Sequence, residues 1–368
     1  MKPAQAAILA LASALLLSAA PAPASEGGER GRVFTLDETM EILGAAAGSQ
    51  GAFRWDPFFR EGSFAVRGHH GIFPAAMSPG ETGFLIVNNR DLHQVPLPYF
   101  LDGELVFPEG FVSLAHEAFA RASRDGGSFH YRIAAIVIDP GHGGRDPGAV
   151  FHHTVGGASQ TVRESDIALA ASAMLRDMLS ARFPDKRVLM TRETDITLSL
   201  EDRTLFANSV PTREDEGIIF VSIHANYATN RNARGFEVWH LTRSYRRELD
   251  LVDASRFPDP ELRQILNLLT ADWFHTESIM LAQSILDGMH SAMGGSMPNR
   301  GLRAEDWFVV RRSNMPAVLV ELGFVTNRYD AMLMTDGESL RRMVEGVYRG
   351  IADFVDAFER SGGFIIAQ

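Results

Sequence analysis

The chain has 368 residues, of which 45% are hydrophobic, enough for two domains that each bury a core. Its formal net charge of -11 argues against binding to nucleic acid and against adhesion to anionic surfaces by charge alone. There are no cysteines, which excludes disulfides and leaves histidines and carboxylates as the available metal ligands.

The first 24 residues have the pattern of a secretory signal peptide. A basic start at Met1-Lys2 precedes an apolar run, and Ala22-Pro23-Ala24 offers a cleavage site for signal peptidase. An uncleaved membrane anchor is the alternative, which the Pro-rich exit with small residues disfavours. No later segment approaches the roughly 18 uninterrupted apolar residues of a spanning helix. We therefore expect cleavage after Ala24 and a soluble, exported protein without a membrane span, in a periplasm or outside the cell.

Residues 33–120 predict a small N-terminal accessory domain. Leu36-Asp37-Glu38 opens a short helix, and apolar runs at 64–66, 83–87 and 104–107 are separated by turns. Short strands at this spacing are typical of a β-rich or α+β domain. The pair His69-His70 is expected in a solvated turn, with a metal site as the alternative.

The polar segment 121–132 predicts a domain boundary, after which strands alternate with helices. Apolar runs that predict strands lie at 133–138, 188–190, 218–223, 236–239 and 315–320, and amphipathic stripes that predict helices lie at 166–182 and 340–358. This alternation predicts an α/β fold for residues 133–360, with a mainly parallel sheet covered by helices on both faces.

Four residues capable of metal or acid–base chemistry lie at the ends of these elements. His142 follows the first strand in D-P-G-H-G-G, and Glu164 comes just before the first long helix. His224 ends V-S-I-H-A-N, and Glu321 ends the apolar run of V-L-V-E-L-G-F. Because parallel neighbours carry their carboxyl ends to one edge of a sheet, we expect these side chains to converge. Two imidazoles and one carboxylate are the ligands of many hydrolytic zinc sites, and a second carboxylate can move the proton of a bound water.

Each of the four residues also has a purely structural interpretation. Glu164 could be a first-turn carboxylate favoured by the helix dipole, His142 a surface residue and His224 a hydrogen-bonded histidine at the rim of the core. Glu321 differs, since it follows four apolar residues and a buried unpaired charge requires a metal or cation partner. The structural interpretations together require four coincidences at one sheet edge, so we favour a metal site.

Four motifs in this region resemble those of the N-acetylmuramoyl-L-alanine amidases of the amidase-3 family. In chain order they are D-P-G-H-G-G-x-D-P-G-A, S-I-H-A-N, N-R-G-L-R and P-A-V-L-V-E-L-G-F-V-T-N, and the resemblance runs from about Ile133 to Phe358. It implies a zinc enzyme that acts on peptidoglycan of the cell wall, cleaving the amide between the lactyl group of N-acetylmuramic acid and L-alanine of the stem peptide.

The resemblance also implies a role for each of the four residues. By match of motif, His142, Glu164 and His224 are the ligands of Zn2+ and Glu321 is the catalytic carboxylate. Zinc would acidify its bound water, and Glu321 would pass the proton to the amide nitrogen.

Further polar residues near these motifs have weaker interpretations. Asp139 and Asn226 are candidates for orienting ligands or substrate, with a plain turn role as the alternative for Asp139. The pair His152-His153 is expected in a loop, with a substrate contact as the alternative.

The chain between about 245 and 277 predicts an inserted helical segment. Asp259-Pro260 is a favourable helix start, and a peripheral helix packed on the sheet is the structural interpretation. Members of the family that act in cell separation carry an inserted helix here, which occludes the zinc until an activator protein displaces it. The resemblance therefore implies a switch with an activator protein as partner. The candidate blocking carboxylates are Asp250, Asp253, Glu261 and Glu277.

Two other functions stay open from the sequence. One is a zinc hydrolase of similar fold that cleaves another amide or a peptide bond. The other is a non-catalytic wall-binding or regulatory module, against which the intact set of ligands and Glu321 argues.

Overall fold

The computed structural model describes residues 32–360 apart from 48–50, 58–59, 67–68, 89–90, 125–131, 156–157, 214–215, 246, 248, 250, 253 and 256–259. The predicted signal peptide, residues 1–24, lies outside the described residues. The described residues form two compact units, one before and one after position 131.

The first unit is an α+β structure, as its short strands predict. Its strands are β1 (Val33–Phe34), β2 (Gly51–Asp56), β3 (Glu61–Val66), β4 (His69–Pro74), β5 (Thr82–Val87), β6 (Asp91–Pro96), β7 (Tyr99–Leu101) and β8 (Glu104–Pro108), and its helices are α1 (Leu36–Ala47) and α2 (Glu109–Arg124). Strands β2 to β6 form an antiparallel sheet in chain order, and β1, β8 and β7 form a second antiparallel sheet.

Helix α2 and the two histidines of β4 differ from the sequence-based expectation. The predicted boundary at 121–132 overlaps the end of α2, an amphipathic helix that buries Phe111 and Phe119 in the core of this unit. The prediction of a solvated turn at His69-His70 is wrong, because both are buried in β4. The amide of Asn88 lies 3.2 Å from His69 Nδ1 and accepts a 3.2 Å hydrogen bond from the His70 N–H, which offsets their loss of water.

The second unit contains a six-stranded, mainly parallel sheet. Its strands are β9 (Arg132–Pro140), β10 (Val150–Val155), β11 (Ala158–Arg163), β12 (Arg187–Met190), β13 (Glu216–Asn226), β14 (Phe236–Leu241), β15 (Asn299–Glu305) and β16 (Ala317–Phe324). The order in the sheet is β12-β9-β13-β16-β14-β15, and each neighbouring pair is parallel apart from the antiparallel pair β16 and β14. Strands β10 and β11 form a separate antiparallel hairpin between β9 and the first helix of this unit.

Helices cover both faces of this sheet, which confirms the predicted fold class. They are α3 (Glu164–Arg182), α4 (Leu200–Asn208), α5 (Pro260–Met293), α6 (Phe308–Arg311), α7 (Arg328–Thr335) and α8 (Gly337–Arg360). Helices α3, α5 and α8 pack together on one face. On the other face, Ala207 of α4 and Val310 of α6 join Val137, Phe220 and Leu319 of the strands in one core. Across the described residues, no helix combines the length and the apolar character that a bilayer crossing demands.

Candidate metal centre

The loop after β9 presents His142 in a left-handed backbone conformation, with φ 58°. Its Nδ1 lies 2.7 Å from Asp146 Oδ2, and its Nε2 lies 3.1 Å from Glu164 Oε1. A hydrogen bond from Nδ1–H to a carboxylate fixes the ring orientation and leaves the Nε2 lone pair free for a metal. Asp146 therefore orients His142. The sequence prediction did not include it, although it lies inside the motif D-P-G-H-G-G-R-D-P-G.

Glu164 is the first residue of α3 and is 6% exposed. Its Oε1 lies 2.8 Å from His224 Nδ1, and its two oxygens accept hydrogen bonds from the backbone N–H of Ala149 and Ala225, at 2.8 and 3.2 Å. Burial raises the pKa of Glu164, but hydrogen bonds with His142 and His224 outweigh burial and lower the pKa below its usual range. The carboxylate is therefore ionised at neutral pH.

The structure brings His142, Glu164 and His224 together at the carboxyl edge of the sheet. One donor atom from each lies within 4.8 Å of the others, and the imidazole rings are 5.0 Å apart at 80°. Two histidine nitrogens and one carboxylate oxygen at this spacing are a donor set that suits zinc. The convergence is a structural fact, and the role of the three residues as ligands stays a prediction.

Two glycines leave the space in which these side chains meet. A Cβ atom at Gly141 would lie 2.3 Å from the His224 ring. A Cβ atom at Gly148, where φ is 64°, would lie 2.6 Å from Glu164 Oε2 and 2.7 Å from His142 Cδ2. Both distances are too short for a real contact, so the chain approaches the cluster closely only because these positions have no side chain.

Glu321 lies on β16, between the strands that carry His224 and Glu237. It is in register with His224 of β13 on one side and with Glu237 of β14 on the other. It is 7% exposed, and its buried Oε2 has no hydrogen-bond partner among the described residues. Burial, followed by the charges of Glu164 and Glu237, raises the pKa of Glu321 well above its usual value. This unsatisfied carboxyl group next to further carboxylates is a place for a cation.

Two buried arginines hold the backbone of the loop that carries His142. Arg203 donates to the carbonyl oxygens of Pro140 and His142, both at 2.6 Å, and to Asp139 Oδ1 at 2.7 Å. Arg192 donates to the carbonyl oxygens of Pro140 and Gly141 at 3.0 and 2.7 Å. No sequence pattern assigned either arginine a role, because their targets are backbone atoms.

Asp139 and Asn226 also lie beside the cluster. Asp139 is buried and accepts from Thr191 and Ser222 as well as from Arg203, so it anchors the loop rather than simply forming a turn. Asn226 Nδ2 donates to Glu237 Oε1 at 2.7 Å.

The prediction of a loop at His152-His153 is wrong, because both residues lie in β10. His153 is buried, and its Nε2 lies 2.8 Å from the carbonyl oxygen of Val325. Neither strand of this hairpin, V-F-H-H-T-V or A-S-Q-T-V-R, contains the apolar run or the strict alternation by which strands are identified from a sequence.

Glu277 lies far from the predicted metal ligands. The hydroxyl of the next residue, Ser278, accepts from the N–H of Ala317, the first residue of β16. Glu321 is four residues further along β16, about 13 Å at 3.3 Å per residue. Glu277 interacts with the buried Arg247, which donates to the carbonyl oxygen of Met315. Glu277 therefore does not block the centre in this structure, and the reason is that this part of α5 lies at the amino edge of the sheet.

The other candidates for a blocking carboxylate are not tested. Asp250, Asp253 and the side chain of Glu261 lie outside the described residues. The autoinhibitory insert stays a prediction for this segment.

An α/β domain with two histidines and a carboxylate together at the carboxyl edge of the sheet, next to a buried second carboxylate, is an arrangement that could support metal-assisted hydrolysis. Residues 136–353 match the family model described as N-acetylmuramoyl-L-alanine amidase, Amidase_3. The match covers more than half of the chain, so the protein belongs to this family.

Individual relatives are similar over the same region. An uncharacterized cell wall amidase of Bacillus anthracis is 29% identical over 227 residues, which are 60% of this chain and 35% of that relative. A probable N-acetylmuramoyl-L-alanine amidase AmiB of Haemophilus influenzae is 27% identical over 240 residues, 60% of this chain and 51% of the relative. The chain thus spans about a third and about half of the length of these two relatives.

Among solved structures, the N-acetylmuramoyl-L-alanine amidase AmiC2 of Nostoc punctiforme is 26% identical with a TM-score of 0.44, and the similarity covers 60% of this chain and 97% of that one.

Proposed function

We propose that this protein is a zinc-dependent N-acetylmuramoyl-L-alanine amidase. It would hydrolyse the amide between the lactyl group of N-acetylmuramic acid and L-alanine of the peptidoglycan stem peptide. The observation that carries the proposal is the convergence of His142, Glu164 and His224 beside the buried Glu321, inside the region that matches the family.

The residues present fit a zinc ion. Three donor atoms of the preferred types face one another, and Asp146 orients His142 through the nitrogen that faces away from the cluster. The unpartnered Oε2 of Glu321 is explained by a cation in its neighbourhood. When bound, zinc supplies Lewis acidity and a water molecule that ionises near neutral pH.

Glu321 is the proposed general acid and base. Burial and the neighbouring carboxylates raise its pKa, and a bound cation would lower the pKa again, so the two opposing effects suit a carboxyl group that takes up and releases a proton. It accepts the proton of the attacking water and delivers it to the nitrogen of the cleaved amide. Arg203 and Arg192 keep His142 in place during this exchange, because together they bind the carbonyl oxygens of Pro140, Gly141 and His142.

The proposed site of action is the cell wall, outside the cytoplasm. The relatives named cell wall amidases support this location, and the sequence of residues 1–24 has the pattern of an export signal. Peptidoglycan is the proposed macromolecular partner. An activator protein stays a further proposal, since three of the four candidate blocking carboxylates, Asp250, Asp253 and the side chain of Glu261, lie outside the described residues.

The test is a digestion of purified peptidoglycan with the full chain lacking residues 1–24, in the presence of zinc, with the soluble products identified by mass spectrometry. The expected products are stem peptides with a free N-terminal alanine. A chelator and Glu321→Gln should each abolish their release, whereas Glu345→Gln on the outer surface of α8 should not. Products cut at another amide would overturn the substrate assignment. Tight zinc binding without any product, both from this protein and from a form that also lacks residues 250–270, would favour the wall-binding module instead.

A further inference from the structure

We propose that Arg300 and Arg303 form a subsite that binds a carboxylate of the peptide part of the substrate. The inference rests on the proposed function, since it names the part of that substrate which is recognised. Both arginines lie in the motif N-R-G-L-R of β15, to which the catalytic scheme gives no role.

A β-bulge brings the two guanidinium groups to the same side of the sheet. Residues three apart on a regular strand point to opposite faces. The pairing of β15 with β14 shifts register between positions 236 and 238 of β14, so three residues of β15 match two of β14. The additional residue turns Arg303 to the face that Arg300 occupies. Gly301 has φ 85° inside this bulge, a conformation that favours glycine.

The bulge directs both arginines at one buried carboxylate. Glu237 is 2% exposed, and its Oε2 lies 2.7 Å from Arg300 Nε and 3.6 Å from Arg303 Nε. Arg300 already binds Glu237 at 2.7 Å, so the longer contact of 3.6 Å leaves the charge of Arg303 only partly compensated. Within the described part of the chain, no other carboxylate lies within ion-pair distance of Arg303.

The guanidinium groups remain accessible to a ligand. The side chains of Arg300 and Arg303 are 32% and 45% exposed, although each approaches Glu237 through Nε. The remaining guanidinium nitrogens form the planar fork that binds a carboxylate through two parallel hydrogen bonds. The same fork also suits phosphate, but within the peptide part of the proposed substrate the matching group is a carboxylate.

The order of strands sets the distance between this subsite and the cleaved amide. Glu321 on β16 is separated from β15 by β14, and a strand spacing of 4.7–4.9 Å puts the β15 backbone about 10 Å from that of Glu321. An extended peptide advances about 3.3–3.6 Å per residue. A carboxylate on the second or third residue beyond the cleaved amide would therefore reach the arginines.

The test compares synthetic muramyl peptides that differ only in having a carboxylate or a carboxamide on the second residue, with a parallel pair for the third. Arg303→Gln is the informative variant, because Glu237 keeps its bonds with Arg300 and Asn226. Arg341→Gln is the matched control, an exposed arginine 3.3 Å from a glutamate on α8. We expect Arg303→Gln to lower kcat/KM roughly tenfold by raising KM. The loss should occur with a carboxylate peptide and not with its carboxamide counterpart, and in only one of the two pairs.

Equal losses on the carboxylate and carboxamide peptides, or no loss on any of them, would overturn the subsite. Calorimetric binding of the same peptides to the Glu321→Gln protein gives a readout without turnover. If the parent protein cleaves no peptide, the proposed function fails. The calorimetric binding measurement still tests whether the arginines bind a carboxylate. Weaker binding of the carboxylate peptide after Arg303→Gln supports it, and unchanged binding overturns it.

Discussion

Replacing Arg203 with methionine removes one of the two buried arginines that hold the loop of His142. Its side chain is 3% exposed and forms an ion pair of 2.7 Å with Asp139, whose side chain is 1% exposed. It also donates to the carbonyl oxygens of Pro140 and His142. The substitution keeps most of the side-chain volume, so the effect reports the lost polar contacts rather than a cavity.

The size of the effect follows from what the substitution leaves behind. Removing one partner of a buried ion pair costs about 3–5 kcal/mol, because the other charge stays buried. Asp139 keeps hydrogen bonds from Thr191 and Ser222, which places the loss at the lower end. We therefore expect the free energy of unfolding to fall by about 3 kcal/mol. Zinc affinity should fall roughly tenfold or more, since residues that orient a ligand have effects of that size.

Urea unfolding of the metal-free protein measures the first effect, provided that the slope of the transition is unchanged. Arg182→Met is the control, because Arg182 and Asp356 are also 2.7 Å apart but are 45% and 34% exposed. Such a surface pair contributes about 0–1 kcal/mol. Equal losses of unfolding free energy for the two variants would refute the argument that burial makes the ion pair of Arg203 more stabilising than that of Arg182.

Three further results are expected. Gly148→Ala should weaken zinc binding at least tenfold in a chelator competition, since its Cβ would collide with Glu164; wild-type affinity would contradict this. Burial raises the pKa of Glu277 to about 8 against the opposing charge of Arg247. The folded state then retains a proton that the unfolded state loses above about pH 4.5, so stability should fall as pH rises toward 8. The free energy of unfolding of Glu277→Gln, measured across this pH range, should not show this part of the decline. If the free energies of variant and parent fall in parallel, the raised pKa of Glu277 is refuted. Zinc should raise the Tm of chelator-treated protein but not that of His224→Ala; an equal rise in both would place the metal elsewhere.

The convergence of the predicted site residues could be foreseen because it depends on topology. Strands β9, β13 and β16 are parallel neighbours, so the residues that follow their apolar runs had to meet at one edge. Buried runs of isoleucine and valine identify such strands reliably. The role of Asp146 depended instead on the path of a glycine-rich turn, which an apolar pattern does not describe.

Other features were missed because their partners are distant in the chain. Strand β14 runs antiparallel to β16, so Glu237 reaches the site from the amino end of its strand, where no ligand was sought. Arg203 donates to backbone oxygens 61 and 63 residues away, and to a side-chain oxygen of Asp139, 64 residues away. His69 was expected in a solvated turn, whereas it lies in β4, where its contact with Asn88 makes burial tolerable.

The first glycine of the D-P-G-H-G-G motif, Gly141, lies against the imidazole of His224, a residue of another strand. Asparagine is often an acceptable substitute where a turn needs only an unusual backbone angle. Here the obstacle is the imidazole of His224, 2.3 Å from the nearest added atom and tied to Glu164 at 2.8 Å. Any other amino acid at position 141 would push the His224 imidazole away from Glu164 and His142, the other two predicted ligands, whatever its turn preference. If the proposed zinc site is correct, a residue other than glycine at this position marks a chain that has lost metal binding although it keeps the histidines.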